Sequence, residues 1–309
     1  MAFEFRKYFH VLKEAGSEFA NDNGTKLSAS LAYYTIFSIG PLLLVVISVS
    51  SIFYKRAEIT TKILGQVSDL VGKTGADQIR TMLENTTTQG NTTLFSIIGV
   101  VVLIFGATGI FTEIQSSINY IWSIKAKPKK GWLKYITDRL LSFSLIIGSG
   151  FLMLVTLLIN LLMDLLSDHL GRLLGDANII LLKGLNIALL FAVVTFLFAV
   201  IYKVLPDAVI KWKDALVGAA FTGVLFLIGK FLIGYYLGES KSISTYGAAA
   251  SLILLLSWVY YSSIILYFGA EFTKVYALRL GSGITVYDTA VYIVKREAKE
   301  HPEIKHPHI

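Results

Sequence analysis

The chain has 309 residues, no cysteine, 54% apolar residues and only 16% charged residues. Soluble domains carry roughly 25% charged residues, and a mean hydropathy of +0.64 would expose too much apolar surface to water. These values exclude an ordinary soluble domain and predict a chain partly embedded in lipid. The net charge of +7 then indicates basic loops on one side of a membrane rather than a nucleic-acid surface.

Long uncharged runs predict the membrane-crossing helices, because each crossing needs about 20 mostly apolar residues. Lys230 interrupts one run, which we include because a single lysine costs about 3 kcal/mol at the centre of a span and less near its end. The predicted fold is therefore all-α, a polytopic bundle of six transmembrane helices. The predicted spans are about 28–53, 93–120, 139–165, 180–203, 215–237 and 246–273.

Basic residues predict the orientation of the bundle. Of the 28 basic residues, 17 precede the first span, follow the sixth, or lie in the second and fourth loops, against seven in the other loops. The positive-inside rule then places both termini in the cytoplasm. The domains are a cytoplasmic segment 1–26, a transmembrane domain 27–274 and a basic tail 275–309. Trp122, Trp132 and Trp212 are predicted at the inner boundary, where indoles favour head groups.

The outer segment between the first two spans is predicted to be amphipathic. Its apolar residues share a helical face at spacings of four, four and three, and the pattern resumes after a break at residues 72–75. We predict two short helices that either pack on the bundle or form a lid over a cavity. The residues are Ile59, Ile63, Val67 and Leu70 before the break and Ile79, Met82 and Leu83 after it.

The tail carries a second apolar stripe, made of Val286, Ala290, Ile293 and Val294. As a helix it would lie on the anionic inner leaflet or remain solvated, and the sequence does not choose between them. Three nearby histidines are flanked by prolines that prevent a helical ligand face, so no metal site is predicted. They are His301, His306 and His308.

Polar residues inside the spans are the main functional candidates, because ionisable groups at membrane depth are costly and usually face a wet cavity or a partner. Three of them are predicted near the outer face, where they either converge or extend separately to the interface. We assign the substrate-pathway candidates as Glu113, Asn119, Arg139, Asp164, Lys183, Lys230 and Glu271. The three outer ones are Asp164, Lys183 and Lys230.

Glu113 has two interpretations. If Trp122 marks the interface, Glu113 lies about 13 Å deep by helical rise and is a candidate proton or cation site. If the span begins at Thr93, Glu113 lies at the boundary. A structural ion pair with Arg139 or Lys274 is the alternative to a transport site.

Small residues and a proline predict close helix packing and a kink. Ala215, Ala219 and Gly223 recur every four residues, which lets two helices approach closely in lipid. Pro41 should kink the first span. The predicted kink and packing residues are Pro41, Gly106, Gly109, Ala215, Ala219, Gly223 and Gly247.

The sequence contains no Walker loop, no His-Glu-x-x-His motif and no Gly-x-Ser-x-Gly motif. It therefore lacks the known signatures of ATP hydrolysis, zinc hydrolysis and serine-dependent hydrolysis. We predict no enzyme activity, no cofactor and no bound metal. The expected partners are membrane lipids rather than nucleic acid, and an oligomer is possible.

Three regions resemble the YihY/BrkB family. The first is Ser28-Ala29-Ser30-Leu31-Ala32-Tyr33-Tyr34 through Pro41, and the second is Gly106-Ala107-Thr108-Gly109 with Asn119 and Ile121-Trp122. The third contains Leu205-Pro206-Asp207, Trp212, Gly218-Ala219, Tyr246-Gly247-Ala248, Trp258-Val259-Tyr260 and Gly269-Ala270-Glu271. The resemblance implies a six-helix inner-membrane protein with cytoplasmic termini. Members were formerly labelled ribonuclease BN, a label that the missing nuclease motifs do not support.

The leading functional hypothesis is a transporter-like membrane protein that moves a lipid or an amphiphilic solute across or between leaflets. A kinked first span, polar groups in both halves of the bundle and an amphipathic outer segment favour it. The alternatives are an ion- or proton-coupled solute exchanger centred on Glu113 and a non-transporting envelope scaffold.

Overall fold

The computed structural model describes residues 2–50, 55–88, 93–127, 177–239 and 248–295, with short pieces at 131–132, 136–138, 140–142 and 144. The described residues are mostly helical. The helices are α1 (Ala2–Asn21), α2 (Gly24–Ser50), α3 (Arg56–Thr88), α4 (Thr93–Ile121), α5 (Ala177–Val204), α6 (Trp212–Glu239) and α7 (Ala248–Arg279). The strands are β1 (Ile124–Ala126), β2 (Ala208–Val209), β3 (Thr285–Val286) and β4 (Ala290–Tyr292).

Helices α2, α4, α5, α6 and α7 coincide with five of the six uncharged runs, so the mostly helical fold is confirmed. Among the described residues, Ile187–Val204 of α5 and Trp212–Lys230 of α6 are long and apolar enough to cross a membrane. The predicted span 139–165 falls almost entirely outside the described residues. The count of six membrane-crossing helices therefore stays a prediction.

Helix α3 corrects the prediction of two short helices separated by a break, because it is helical from Arg56 to Thr88. A glycine inside a helix costs only about 1 kcal/mol, and apolar packing on both sides of residues 72–75 outweighs that cost. Thr61 and Arg80 nevertheless line one cavity of about 270 Å³. On a straight helix they would be about 28 Å apart, so α3 bends between them. Its buried contacts with α2 and α7 come from Ile59, Ile63, Ile79 and Leu83.

Helices α6 and α7 approach closely through two reciprocal glycine–threonine contacts. A Cβ atom on Gly218 would lie 1.8 Å from Oγ1 of Thr273, and a Cβ atom on Gly269 would lie 2.0 Å from Oγ1 of Thr222. Each threonine hydroxyl donates to the glycine carbonyl of its own helix, Thr222 to Gly218 and Thr273 to Gly269. The hydroxyls are therefore satisfied within their own helices, and the missing glycine side chains let the helices meet.

Both pairs of short strands lie at one end of the bundle, which we call the strand end. Antiparallel pairing joins β1 to β4 and β2 to β3. These strands follow the last residues of α4, α5 and α7, and the start of α2 meets them there through a shared core around Leu31, Ile118 and Trp122. The segments predicted on one side of the membrane therefore pack together at one end of the molecule.

The tail is not the amphipathic helix that its apolar stripe predicted. Val286 lies in β3, Ala290 lies in β4, and Gly283, with a φ of 80°, lies in the turn after α7. The β-branched and aromatic residues of 285–293 fit strands. As strands they pair with β1 and β2, whose backbone groups a tail helix would leave without these partners. The three tail histidines lie outside the described residues.

Candidate functional site

The site begins with the inward face of α1. Val11 and Ala15 are buried against Phe272, Val275 and Tyr276 of α7. The spacing of four, three and four residues that links positions 11, 15, 18 and 22 keeps them on one helical face. Apolar packing in the middle of α1 therefore directs Glu18 and Asp22 toward α7 as well.

Lys274 of α7 is the centre of an ionic cluster at the strand end. Its Nζ contacts the carboxylate of Glu271, and it lies 3.6 Å from Oε2 of Glu18 and 3.7 Å from Oδ2 of Asp22. It also donates a 2.9 Å hydrogen bond to the carbonyl of Ile121. One buried ammonium thus ties α7 to α1 and to the last residue of α4.

The tail supplies the second cation of the cluster. Lys295 lies 2.6 Å from Oδ1 of Asp22, and its ammonium stands 4.0 Å from the ring centroid of Tyr120. A cation over an aromatic face is attracted by the ring quadrupole. The tail is thereby fastened to the same cluster, which consists of Glu18, Asp22, Glu271, Lys274 and Lys295.

Glu271 is the most unusual member, because its side chain is 0% exposed. Its Oε1 contacts the ammonium of Lys274, whereas its Oε2 has no hydrogen-bond partner within the described part of the chain. Its ion pair with Lys274 is therefore its main stabilising contact. A buried carboxylate with one oxygen left without a hydrogen-bond partner is costly, which marks Glu271 as a candidate functional group.

The cluster carries more negative than positive charge, with three carboxylates against two ammonium groups. Carboxylate oxygens of Glu18, Asp22 and Glu271 lie within 4.8 Å of one another, and the ammonium of Lys274 contacts all three residues. An incoming anion would compete with the carboxylates for Lys274, and an incoming cation would compete with Lys274 and Lys295 for the carboxylates.

A second buried contact stands beside the cluster. Nδ2 of Asn119 donates to Oδ2 of Asp207 at 2.9 Å, and the backbone N–H of Asp207 donates to Oδ1 of Asn119 at 2.9 Å. This reciprocal pair joins α4 to the turn between α5 and β2. Asn119 therefore has a structural role in addition to its predicted place on a substrate pathway.

Replacing Asn119 by leucine should lower the free energy of unfolding by about 2 kcal/mol, because two buried groups of Asp207 lose their partner. The measurement is SDS-induced unfolding of the purified protein, with Ser116→Ala as the control. Ser116 is an exposed residue of the same helix, so its substitution should change stability little. Equal stability of the two variants would show that the Asn119–Asp207 pair is not formed.

Trp122 corrects one sequence prediction. Its side chain is only 3% exposed, and its Nε1 donates to the carbonyl of Ala270 at 3.0 Å. The Trp122 side chain therefore packs inside the protein and joins the end of α4 to α7, rather than lying among the lipid head groups. Trp132 and Trp212 are exposed, as an interfacial role requires.

The other pathway candidates do not join the cluster in the described structure. Glu113 is half-buried on α4, about 12 Å along the helix axis from Ile121. Lys230 is exposed on α6, which fits its extension to an interface. Arg139 and Asp164 lie outside the described residues, as does the side chain of Lys183.

The predicted packing residues fall mainly at helix contacts. Ala215 and Ala219 are fully buried, and a Cβ atom on Gly223 would lie 2.7 Å from Oγ1 of Thr195 in α5. A Cβ atom on Gly109 would lie 3.0 Å from Oγ of Ser38. Among the remaining positions, α2 continues as helix through Pro41, Gly106 is half-buried in α4, and Gly247 lies outside the described residues.

Sequence reasoning missed Glu18, Asp22 and Lys295 as site residues. They lie in segments that the charge pattern assigned to the cytoplasm, where charged side chains need no special explanation. The available signal was the spacing of Glu18 and Asp22 with Val11 and Ala15, which places two acids on an apolar helical face. No comparable pattern in the sequence singles out Lys295.

The first half of α1 is held to α7 by a separate ion pair. Glu14 accepts hydrogen bonds from Nε and Nη2 of Arg279, the shortest at 2.7 Å, and lies 3.9 Å from Nε2 of His10. The hydrogen bond from Arg279 lowers the pKa of Glu14 below its ordinary value of 4.5. A lowered pKa in the folded state stabilises the fold above that ordinary value, and the stabilisation is lost as the pH falls through the lowered pKa.

The difference in melting temperature between the wild type and Arg279→Gln should therefore be largest near pH 6 and should shrink toward pH 3. Thermal unfolding at a series of pH values measures it, and Lys211→Gln, at an exposed position of the strand end, is the control. A difference that stays constant over this range would contradict the role of Glu14.

The described residues form a mostly helical protein with two helices that are long and apolar enough to cross a membrane, and comparisons with known proteins show its family. A model of the family described as Virulence factor BrkB matches residues 15–286. The chain therefore belongs to the BrkB family of membrane proteins. The resemblance noted from the sequence motifs is confirmed.

Relatives named UPF0761 membrane protein occur in several bacteria. The protein of Tolumonas auensis is 31% identical over 256 residues, which cover 80% of this chain and 78% of that protein. The protein of Vibrio campbellii is 28% identical over 250 residues, covering 79% and 74%. The protein of Pseudomonas aeruginosa is 31% identical over 259 residues, covering 82% and 59%. No solved structure matches the chain.

Proposed function

We propose that this membrane protein is a transporter that moves a lipid or an amphiphilic solute across or between the leaflets of the bacterial cytoplasmic membrane. The observation that carries the proposal is Glu271, a fully buried carboxylate that is paired with Lys274 through Oε1 and has no hydrogen-bond partner for Oε2 among the described residues. A buried ion pair usually adds less stability than apolar residues of the same volume. Retaining such a pair at the end of a membrane helix is therefore better explained by function than by stability.

The cluster works in this proposal as a gate that exchanges ion-pair partners. Lys274 contacts carboxylates from two helices, α1 and α7. An anionic head group that binds Lys274 would replace one carboxylate and weaken the contact between α1 and α7. Release of the head group would restore the ion pairs and close the gate. The differential affinity of the cargo for the open state supplies the free energy of opening.

The proposed architecture keeps six membrane-crossing helices and two cytoplasmic termini. The packing of α1, the loops after α4 and α5, and the tail at the strand end supports a common side for these segments. That side would be cytoplasmic under the positive-inside rule. The partners in this proposal are membrane lipids, with no nucleic acid, no cofactor and no catalytic step, and an oligomer is possible.

Cation- or proton-coupled solute exchange is the second candidate. The three carboxylates of the cluster lie within 4.8 Å of one another and outnumber the two ammonium groups. An excess of carboxylates over ammonium groups favours uptake of a proton or a cation. In this version the coupling group is Glu271 rather than Glu113, which lies apart from the cluster.

Reconstitution into liposomes with a fluorescently labelled lipid tests the proposal. We expect the wild type to move the labelled lipid between leaflets faster than protein-free liposomes do. Lys230→Ala should retain this activity, because Lys230 is exposed on α6 away from the cluster. An absence of movement would contradict lipid transport, and acceleration only under an imposed proton gradient would favour the coupled exchanger.

A further inference from the structure

A basic groove lies between the first half of α1 and the end of α7. Its volume is about 510 Å³, and the residues that the argument uses are Arg6, Phe9, His10, Lys13, Arg279 and Leu280. The α1 members lie at positions 6, 9, 10 and 13, a spacing that places them on one helical face. Lys7 and the buried Val11 also line the groove, so it extends from the exposed side of α1 to the contact of α1 with α7.

The groove combines positive charge with exposed apolar surface. Glu14 neutralises Arg279 and approaches His10, whereas the charges of Arg6 and Lys13 face solvent on the exposed side of α1. Phe9 is 61% exposed and Leu280 is 39% exposed. A ligand that suits this lining carries a negative charge and an apolar part next to it.

The groove also lies at the depth expected for lipid head groups. Arg279 is six residues beyond the predicted end of the last span at residue 273, which corresponds to about 9 Å of helix. Head groups occupy this depth next to the hydrocarbon core. Helices that lie in this layer pair Lys and Arg with exposed Phe and Leu, as α1 does. A free inorganic anion has no apolar part that could contact the exposed apolar residues.

We propose that the basic groove binds the phosphate head group of an anionic phospholipid from the leaflet at the strand end. Arg6 and Lys13 bind the phosphate, and Phe9 and Leu280 contact the first part of the acyl chains. This site is separate from the ionic cluster, because no residue of the cluster lines the groove. Lipid binding here does not depend on transport and would hold α1 against the membrane surface.

Native mass spectrometry of the full chain in detergent tests the proposal, with phosphatidylglycerol and phosphatidylcholine of identical acyl chains as probes. The wild type should bind phosphatidylglycerol about 25-fold more tightly, since Arg6 and Lys13 each contribute about fivefold near an anionic lipid. The double variant Arg6→Gln/Lys13→Gln should lose this preference. The control Lys211→Gln/Lys213→Gln removes the same charge from exposed positions at the strand end and should keep it.

Three results would overturn the proposal. An unchanged preference in the groove variant would place the lipid elsewhere. An equal loss in both double variants would mean that only the overall charge matters. Competition by inorganic phosphate at the same concentration as the lipid would show that the groove takes a soluble anion. All four substituted residues are exposed, and thermal unfolding in the same detergent checks that each variant is folded.

Discussion

Replacing Lys274 by methionine should lower the free energy of unfolding by about 3–5 kcal/mol, the range for removing one partner of a buried ion pair. The substitution keeps most of the side-chain volume and removes the charge. It leaves the carboxylates of Glu271 and Asp22 buried with one cation fewer, and the carbonyl of Ile121 loses its donor. SDS-induced unfolding of the purified protein measures the loss.

Lys295→Met is the matched control for this prediction. Lys295 contacts Asp22 alone among the carboxylates of the cluster and is more exposed than Lys274. Its removal should therefore cost clearly less than removal of Lys274, because solvent screens a partly exposed pair. Similar losses for the two variants would mean that Lys274 is not the centre of the cluster.

Gly269→Ala should have the second largest effect, a loss at or above the upper end of the 1–3 kcal/mol that overpacking usually costs. The new Cβ atom would lie 2.0 Å from Oγ1 of Thr222 and 2.5 Å from the hydroxyl of Tyr202. The Tyr202 hydroxyl donates to the carbonyl of Leu266, so it has little freedom to move. Helices α6 and α7 would have to separate.

Gly184→Ala provides the control, because nothing lies within 4 Å of a Cβ atom at that exposed position of α5. Alanine favours helix over glycine by up to about 1 kcal/mol, so this variant should be as stable as the wild type or slightly more so. If Gly269→Ala were as stable as Gly184→Ala, helices α6 and α7 would not be in close contact at Gly269. SDS-induced unfolding compares the two variants directly.

The sequence predicts the long helices well, because an uncharged run of 20 or more residues has few alternatives in lipid. The residues at which the helices end are less predictable. Helix α7 continues to Arg279, beyond the predicted end at residue 273, since Lys274 is buried by partners on α1 and α4. The hydropathy of one segment cannot anticipate partners that come from distant segments.

The ionic cluster is also difficult to predict from the sequence, because its members come from distant segments. Glu271 was identifiable as a charge at the edge of an apolar run, but its environment depends on Asp22 and Lys295, which are 273 residues apart in the chain. The tail strands are equally difficult to predict, because a strand of two or three residues is defined by its pairing partner rather than by its own sequence pattern. Contacts between distant short segments leave little local signal.

The central claim is that Glu271 is retained for transport and not for stability. Glu271→Gln removes the excess negative charge and leaves Lys274 with Glu18 and Asp22. Lipid movement in liposomes and SDS-induced unfolding should be measured on the same preparations of this variant and the wild type. We predict equal or greater stability together with a clear loss of lipid movement. Lower stability with an unchanged rate of lipid movement per folded protein would contradict the claim.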